Sequence, residues 1–371
     1  MEMAQPRRAF QTLDGLRGVG AFLVVMRHVP VFFGPIQVPE SFLAVDLFYL
    51  VSGFVVAHAY GDRLRAGGFF RGFLKTRLIR LYPLYLFGLA LGVIPATLAV
   101  VNDPAGWWTS TKLFEAVVTG LVMIPLFPGL GANGSSLDGP TWTLLPELIA
   151  NAVYALAIRF MTLWVLAAIV VVCGAGLVVA ELHYGTLDVG YSPTDQWGAL
   201  ARVGFSFFAG VLAFRLVGDR KRISGWVAWG CVAVLTAALA YSPSDAVVPY
   251  YELGLVFLGF PALLVVAARF EPGARSGRWF SFIGLVSYGV YILHKPLGNL
   301  ALAALGAGVR IPTDARGLIL GAVFLTVLVG LSWALDVFYD APLRRWLRAR
   351  LLGGPRPPAP TRPVDPAREV S

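Results

Sequence analysis

Apolar runs separated by short polar loops occupy almost the whole chain. They cover residues 14–33, 41–60, 77–100, 113–128, 142–160, 161–181, 197–217, 224–241, 250–269, 281–306 and 316–340. A helix needs about 20 mostly apolar residues to cross the hydrocarbon core of a bilayer, and most of these runs approach or exceed that length. The pattern therefore predicts an all-α integral membrane protein folded as a polytopic helical bundle.

The run at 113–128 fits this pattern least well. It is short, contains Pro125 and Pro128, and leads into the glycine-rich stretch PGLGANGSSLDGP. Such a run is as compatible with a re-entrant or interfacial segment as with a spanning helix. When it is left out, most basic residues fall on the side of the N-terminus, as the positive-inside rule requires, and the outer side keeps Lys112, Arg310 and Arg316 near the ends of spans. We therefore predict about ten transmembrane helices with both termini cytoplasmic, and Asn133 and Ser135 on the outer side.

Composition agrees with a membrane protein and changes the interpretation of the net charge. Hydrophobic residues make up 57% of the chain and charged residues only 14%, which is well below soluble domains. A net charge of +9 is compatible with binding to nucleic acid, but Lys and Arg concentrate in short loops between apolar runs. We therefore predict a lipid bilayer as surroundings and no nucleic-acid partner. Cys173 and Cys231 lie within apolar runs and are expected to be buried hydrophobes.

The chain divides into one large domain and a short tail. Residues 1–345 contain all the apolar runs and are predicted to form a single transmembrane domain. Residues 346–371 are rich in proline and charge, and are predicted to form a disordered cytoplasmic tail.

Placing a charged group inside a membrane-spanning run costs free energy, so each such group is expected to have a structural or functional role. Arg17 and His28 lie eleven positions apart, so a helix returns them to one face about three turns apart. His28 and Asp46 each lie about 7–8 Å below the outer surface if both helices start there. A carboxylate at that level can orient the imidazole as a general base. The alternatives are a structural histidine, and an ion pair between Asp46 and Arg27.

Three further charges are candidates for chemistry. Glu147 opens the fifth apolar run near the predicted outer side, either as an acid of the site or as an exposed charge at a helix start. Arg77 and Arg80 share a helical face at about the depth of Arg17. Converging guanidinium groups can bind phosphate bidentately, although positive-inside flanking explains the same spacing.

A cluster of five polar residues also interrupts the apolar run at 281–306. It consists of Ser287, Tyr288, Tyr291, His294 and Lys295 in SYGVYILHKPL. The spacing of Tyr288, Tyr291 and His294 is compatible with a polar seam inside the bundle, or with local hydrogen bonding between packed helices.

Five segments in order resemble the acyltransferase-3 family of bacterial membrane acyltransferases. LDGLRGVGAFLVVMRH carries the family's Arg-x10-His spacing at Arg17 and His28, and VDLFYLVSGFVV is similar to G-V-D-x-F-F-x-L-S-G-F, with Ala44 replacing the glycine. TRLIRLYPLYL matches Arg-x-x-Arg followed by Tyr-Pro. GPTWTLLPELIANAVYAL resembles W-S-L-x-x-E-x-x-F-Y, and SYGVYILHKPL resembles S-Y-x-x-Y-L-x-H-x-P. The resemblance extends from Leu13 to about Arg345.

The sequence departs from the family's motifs at three more places. Leu148 stands where a second acid is frequent, Lys295 where an aromatic residue is usual, and Asp340–Pro342 where E-x-P is common. These departures bear on the acceptor rather than on the fold. An extracellular esterase-like domain is not expected, so the chain resembles the stand-alone form of the family.

The resemblance implies an O-acyltransferase of the bacterial inner membrane. It implies acyl-CoA, most often acetyl-CoA, as a co-substrate on the cytoplasmic side and a hydroxyl of a glycan or glycosylated molecule as acceptor. Arg17, Arg77 and Arg80 are then expected to bind acyl-CoA, and His28, Asp46 and Glu147 to be catalytic. Asp14, Ser287, Tyr288, Tyr291 and His294 are expected to line the pocket. No metal and no tightly bound cofactor are predicted.

The sequence is compatible with two roles for His28 and with two other functions of the protein. The pantetheine arm is expected to enter from the cytoplasmic side, with His28 acting as a base on the acceptor hydroxyl or as a transient acyl carrier. Intramembrane charges also mark transport paths, so an exporter of a lipid-linked sugar or metabolite is the alternative function. A non-catalytic scaffold in an envelope assembly is a third.

Overall fold

A computed structural model describes residues 10–103, 106–124, 137–192, 194–218, 223–305 and 315–353. The described residues form helices α1 Gln11–His28, α2 Ala44–Arg65, α3 Phe70–Asn102, α4 Ser110–Leu121, α5 Leu144–Ala157, α6 Leu163–Tyr184, α7 Gln196–Val217, α8 Val227–Ala240, α9 Val248–Gly254, α10 Phe260–Ala267, α11 Ala274–Leu305, α12 Ala315–Leu335 and α13 Ala341–Leu351. Single π-helical turns, Leu255–Gly259 and Asp336–Asp340, join α9 to α10 and α12 to α13. Two short strands, β1 Ile223–Ser224 and β2 Phe270–Glu271, pair in parallel.

The all-α membrane fold is confirmed. Six helical segments among the described residues are long and apolar enough to cross a membrane: Pro39–Arg65, Phe70–Asn102, Leu163–Tyr184, Gln196–Val217, Val248–Ala267 and Arg316–Leu351. Helices α1, α5, α8 and α11 occupy four more of the predicted runs. Helices α5 and α8 have 14 residues each and are about 21 Å long, less than the hydrocarbon thickness. Ten spans therefore remain a prediction.

The described part of the weak run at 113–128, up to residue 124, contributes to a short helix that lies against α3. Helix α4 has 12 residues, so it extends about 18 Å and cannot cross the hydrocarbon core alone. Its end is fixed by two tyrosines of α3, because Tyr85 donates to the Gly120 carbonyl at 2.6 Å and Tyr82 donates to the Leu121 carbonyl. Asn133 and Ser135, predicted to be on the outer side, lie outside the described residues.

The predicted start of the disordered tail is wrong by about one and a half helical turns. Helix α13 continues through position 346 to Leu351, because Pro342 in its first turn is followed by good helix formers. Its end also packs beside the start of α3, where Lys75 Nζ donates to the Leu351 carbonyl at 3.4 Å. Residues 354–371 lie outside the described part of the chain.

Contacts between loops place the basic connections on one side of the bundle. The start of α1 reaches β2, where the Thr12 hydroxyl donates to the Phe270 carbonyl. The end of α7 reaches the connection between α5 and α6, where Arg215 donates to the Met161 carbonyl. Strand β1 follows α7 and pairs with β2. The loops that the charge pattern assigned to one side are therefore neighbours.

Helices α1 and α11 are parallel and pack closely along glycines. A Cβ atom at Gly15 would lie 2.3 Å from the Phe280 ring, and one at Gly284 would lie 2.5 Å from Cβ of Asp14. Small residues at such an interface let two helix backbones approach. The contacts advance along both helices together, which sets the register. The consequence is that the C-terminal end of α1 meets the second half of α11 where His28 contacts His294.

Candidate active site

A cavity of about 610 Å³ lies between α1, α2, α3, α5, α11 and the segment from α12 to α13. We call it the arginine cavity. Most of the predicted site residues line it: Asp14, Arg17, Arg77, Arg80, Glu147, Ser287, Tyr288 and Tyr291. Four helices thus bring together side chains that are up to 277 residues apart in the sequence, between Asp14 and Tyr291. The volume lies in the range of sites that hold small molecules.

One wall of the arginine cavity is an ion pair between α3 and α5. Arg77 Nη2 lies 2.6 Å from Glu147 Oε1, and the Ser52 hydroxyl donates to the same oxygen at 2.6 Å. The expectation that Glu147 is separated from the predicted arginines is therefore wrong. The reason is that α5 begins inside the bundle, after the 3-10 turn Gly139–Thr143.

That turn is held in place by Tyr291 of α11. The Tyr291 hydroxyl donates to the Pro140 carbonyl at 3.0 Å and lies 3.1 Å from the Thr143 hydroxyl. Helix α5 therefore starts beside the polar part of α11 rather than at a membrane surface. Counting residues from the surface assumed that every apolar run starts there, and that assumption fails for this helix.

The other two predicted arginines have weaker partners. Arg17 Nη1 lies 3.7 Å from Asp14 Oδ1, which is long for a charge-assisted hydrogen bond. Arg80 forms no ion pair or hydrogen bond with the described residues. Both line the arginine cavity, as their equal predicted depth indicated. The guanidinium group of Arg80 is therefore available to an anion in the cavity.

Asp46 lies elsewhere, in a buried ion pair with α7. Its Oδ2 is 2.7 Å from Arg202 Nη2 and 3.1 Å from Arg202 Nε, and Ser206 donates to Oδ1 at 3.3 Å. Both charged side chains are 1% exposed. The expectation that Asp46 orients His28 is wrong, because the carboxylate faces α7. Its catalytic role is not supported by this position.

The alternative partner of Asp46 is also engaged elsewhere. Arg27 Nη2 lies 2.7 Å from Asp188 Oδ2 in the connection between α6 and α7, and Arg27 Nη1 donates to the Pro39 carbonyl at 2.6 Å. These bonds connect the C-terminal end of α1 to two loops. Arg27 and Asp188 thus form a partly exposed pair beside His28.

His28 and His294 form a contact that we call the imidazole pair. His294 Nε2 lies 3.3 Å from His28 Nδ1, and the ring centroids are 5.1 Å apart. His294 is fully buried and does not share the arginine cavity with Tyr288 and Tyr291, contrary to the expected common lining. The reason is that α11 is long, so His294 lies about one turn beyond Tyr291 toward the C-terminal end of the helix.

The hydrogen bonds of the imidazole pair define one proton arrangement. His294 Nδ1 lies 3.1 Å from the Val290 carbonyl oxygen, which only accepts, so Nδ1 carries the proton in neutral His294. His294 Nε2 is then an acceptor for His28 Nδ1, which also lies 3.0 Å from the Val24 carbonyl. The His28 proton therefore sits on Nδ1, and its Nε2 keeps a lone pair. That nitrogen has the form required of a base or nucleophile.

Two aromatic side chains separate the imidazole pair from the arginine cavity. Phe48 and Tyr291 both line the cavity, and their rings meet edge to face at 5.7 Å. The ring of Tyr291 is also 6.0 Å from that of His294. His28 is not among the described residues lining the cavity. The imidazole pair and the arginine cavity are therefore separate in this conformation.

The sequence interpretation missed the charged residues around the second π-helical turn. Arg344 lies between two carboxylates, 2.8 Å from Asp336 Oδ1 and 3.0 Å from Asp340 Oδ2, and all three line the arginine cavity. Arg348, one turn later, lines it as well. The signal was present as two acids at the end of an apolar run. Single π-helical turns often occur at functional sites.

Comparison with known proteins bears on the family of the chain rather than on the site. The acyltransferase-3 family profile, described as an acyltransferase domain, matches residues 10–335. Protein 2 in picA locus of Rhizobium radiobacter is 44% identical over 164 residues, which are 42% of this chain and 85% of that protein. Acyltransferase MdmB of Streptomyces mycarofaciens is 25% identical over 391 aligned residues, 96% of this chain and 95% of that protein. No solved structure matches the chain. The chain belongs to the acyltransferase-3 family of membrane acyltransferases.

Proposed function

We propose that this protein transfers an acyl group, in the first instance acetyl, from acyl-CoA to a hydroxyl of a carbohydrate-containing acceptor. The proposed topology has ten spans in the bacterial inner membrane, with both termini and the mouth of the arginine cavity in the cytoplasm. No tightly bound cofactor is proposed, because acyl-CoA is a co-substrate. The observation that supports this proposal most is the arrangement of two different sites along one helix, α1.

The two ends of α1 suit the two halves of the reaction. Arg17 lies in the arginine cavity, where cationic side chains can bind the phosphates of coenzyme A. His28 lies at the other end, with a lone pair at Nε2. An axial rise of 1.5 Å per residue puts these two residues about 16 Å apart along the helix.

The length of the donor fits this separation. The pantetheine arm has about twelve chain atoms between phosphate and sulfur, comparable to four extended residues, and therefore spans roughly 14 Å. Phosphates held near Arg17 and Arg80 would place the thioester close to Tyr291. Rotation of the Phe48 or Tyr291 ring would then open a path for the thioester from Tyr291 to His28.

The proposed chemical step uses one nitrogen of His28. Nε2 accepts the proton of the acceptor hydroxyl as its oxygen attacks the thioester carbonyl. A new C–O bond forms, the C–S bond breaks, and the departing sulfur takes up a proton to give free coenzyme A. His294 fixes the proton of His28 on Nδ1, so that Nε2 stays basic.

The same nitrogen could first take the acyl group itself. In that route Nε2 attacks the thioester, coenzyme A leaves, and the acceptor hydroxyl attacks the acyl-imidazole. Rapid quenching of purified protein with acetyl-CoA alone distinguishes the two routes. A mass increase of one acetyl group on the peptide containing His28 supports the covalent route, and an unmodified peptide during turnover supports direct transfer.

The acceptor is proposed to bind at the outer end of α1. His28 is partly exposed there, next to the Arg27–Asp188 pair, and Lys295 Nζ lies 3.4 Å from the His28 carbonyl. Charged and hydrogen-bonding groups of this kind suit a hydroxylated acceptor.

Purified protein and radiolabelled acetyl-CoA test the proposed function. We expect label to appear in a glycan or glycosylated product, which can be identified by comparing glycan mass spectra of cells with and without the protein. Protein that binds no acyl-CoA and transfers no label, while it moves a glycosylated molecule across vesicles, would contradict the proposal in favour of transport.

A further inference from the structure

Helix α13 lies beyond the family's matched region and forms part of the arginine cavity. The family profile ends at residue 335, whereas Arg344 and Arg348 follow it and line the cavity. These two residues are four positions apart, so they share one face of α13. A comparison restricted to the matched region therefore says nothing about their role.

Two hydrogen bonds hold the segment formed by the second π-helical turn and α13 against the N-terminal half of α3. The Tyr339 hydroxyl donates to the Pro83 carbonyl at 3.2 Å, and Lys75 Nζ donates to the Leu351 carbonyl at 3.4 Å. Position numbers rise along one helix as they fall along the other, so the two segments are antiparallel. Arg80 lies between the two ties on α3, and Arg348 lies between them on the other segment.

The guanidinium groups around this contact differ in their partners. Arg77 is paired with Glu147, and Arg344 is held between two carboxylates. The side chains of Arg80 and Arg348 form no ion pair or hydrogen bond with the described residues, although both are close enough to interact electrostatically with Asp340. The arginine cavity thus contains two guanidinium groups that are not in direct contact with a carboxylate of the described residues.

Their different exposure assigns them to different parts of an anionic ligand. Arg80 is half-buried and Arg348 is exposed at the mouth of the cavity. In coenzyme A the diphosphate joins the pantetheine arm, and the 3′-phosphate of the ribose is farther from the thioester. With the thioester toward Tyr291, the diphosphate lies nearer Arg80 and the 3′-phosphate nearer the mouth.

We infer that Arg348 binds the 3′-phosphate of the acyl-CoA donor, and that α13 thereby selects coenzyme A over donors that lack this phosphate. The inference rests on the proposed function, because it requires acyl-CoA in the arginine cavity. A guanidinium group can make two parallel hydrogen bonds to phosphate, which an ammonium group cannot.

The test compares two probes on detergent-purified full-length protein. Acetyl-CoA and 3′-dephospho-acetyl-CoA differ only in the phosphate assigned to Arg348. We expect the parent protein to bind acetyl-CoA roughly tenfold to a hundredfold more tightly, the range of one charge-assisted contact. Arg348→Ala should weaken acetyl-CoA binding to the level of the dephospho probe and leave dephospho binding unchanged.

Arg345→Ala is the matched control. Arg345 is exposed on the same helix and outside the cavity lining, so its removal changes the helix charge by the same amount. The control should keep the parent's preference for acetyl-CoA, and Arg348→Lys should recover part of it. A size-exclusion profile matching the parent ensures that each variant is folded.

Three outcomes would overturn the inference in distinguishable ways. Equal weakening of both probes by Arg348→Ala would mean that Arg348 acts through general charge. Unchanged binding of both probes would remove Arg348 from the donor site. Parent protein that binds neither probe would reject the proposed acyl-CoA donor and, with it, this inference.

Discussion

The buried pair Asp46–Arg202 gives a sharp prediction, because it separates a structural role of Asp46 from a catalytic one. The pair is 1% exposed on both sides and joins α2 to α7. Arg202 also donates to the Val189 and Phe42 carbonyls, each at 3.0 Å. Removing the carboxylate leaves the guanidinium group buried with only neutral acceptors.

The expected loss of stability follows from that unpaired charge. Removing one member of a buried ion pair costs about 3–5 kcal/mol. The loss of stability for Asp46→Asn should lie near the lower end of this range, because the amide oxygen still accepts a hydrogen bond. The loss for Asp46→Leu should lie near the upper end. The double variant Asp46→Leu/Arg202→Met removes both charges, so it should regain most of the lost free energy of unfolding.

Unfolding in mixed micelles with increasing SDS measures this free energy, and acyl transfer is then measured per folded molecule. The structural account predicts unstable single variants, a rescued double variant, and measurable turnover in the rescued protein. Parent-like stability of Asp46→Asn combined with a turnover loss of a hundredfold or more would refute the reasoning and restore Asp46 as a catalytic residue.

Three further changes test separate parts of the site. Arg80→Ala should raise the KM for acetyl-CoA roughly tenfold or more with little change in kcat, because phosphate binding is mostly ground-state recognition. An unchanged KM would exclude Arg80 from the donor site. Glu147→Gln should reduce the yield of monodisperse protein, because it leaves Arg77 buried without its counter-ion. The double variant Glu147→Gln/Arg77→Met should recover that yield. A lower yield of the double variant than of the single variant would contradict a structural ion pair. His294→Leu should lower kcat about tenfold or more without changing the affinity for the donor. His294→Gln keeps a hydrogen-bond acceptor, so its kcat should fall less. Equal losses of kcat would argue against a role for the hydrogen bond between His28 and His294.

Local helical geometry was sufficient to predict part of the site. Arg17 and Arg80 were expected at one depth because rise per residue fixes how far a side chain lies along a helix that starts at a surface. Both line one cavity. The shared face of Arg17 and His28 follows in the same way from the 3.6-residue period.

Contacts between distant helices could not be predicted by this reasoning. The partner of Asp46 is 156 residues away, and His294 is 266 residues from His28. Depth arguments identify which groups can meet across a bundle, but the packing of helices decides which of them face each other. Here the glycines along α1 and α11 set that packing, and only the structure gives their register.

The error for Glu147 has a different physical origin. Depth was counted from the end of an apolar run, whereas α5 begins after a 3-10 turn held inside the bundle by Tyr291. Non-helical backbone is tolerated at membrane depth where protein surrounds it. A sequence pattern alone does not distinguish such a start from one at the membrane surface.

Acetyl transfer by the variant His28→Ala tests the central claim most directly. Purified parent and variant proteins, matched in monodispersity, are compared for binding of acetyl-CoA and for transfer of labelled acetyl to the acceptor fraction. Because His28 lies outside the cavity lining, the variant should bind acetyl-CoA like the parent. Because it supplies the reactive nitrogen, its turnover should fall by about 10²–10⁴. Turnover close to that of the parent in a variant that binds donor normally would contradict the assignment of His28.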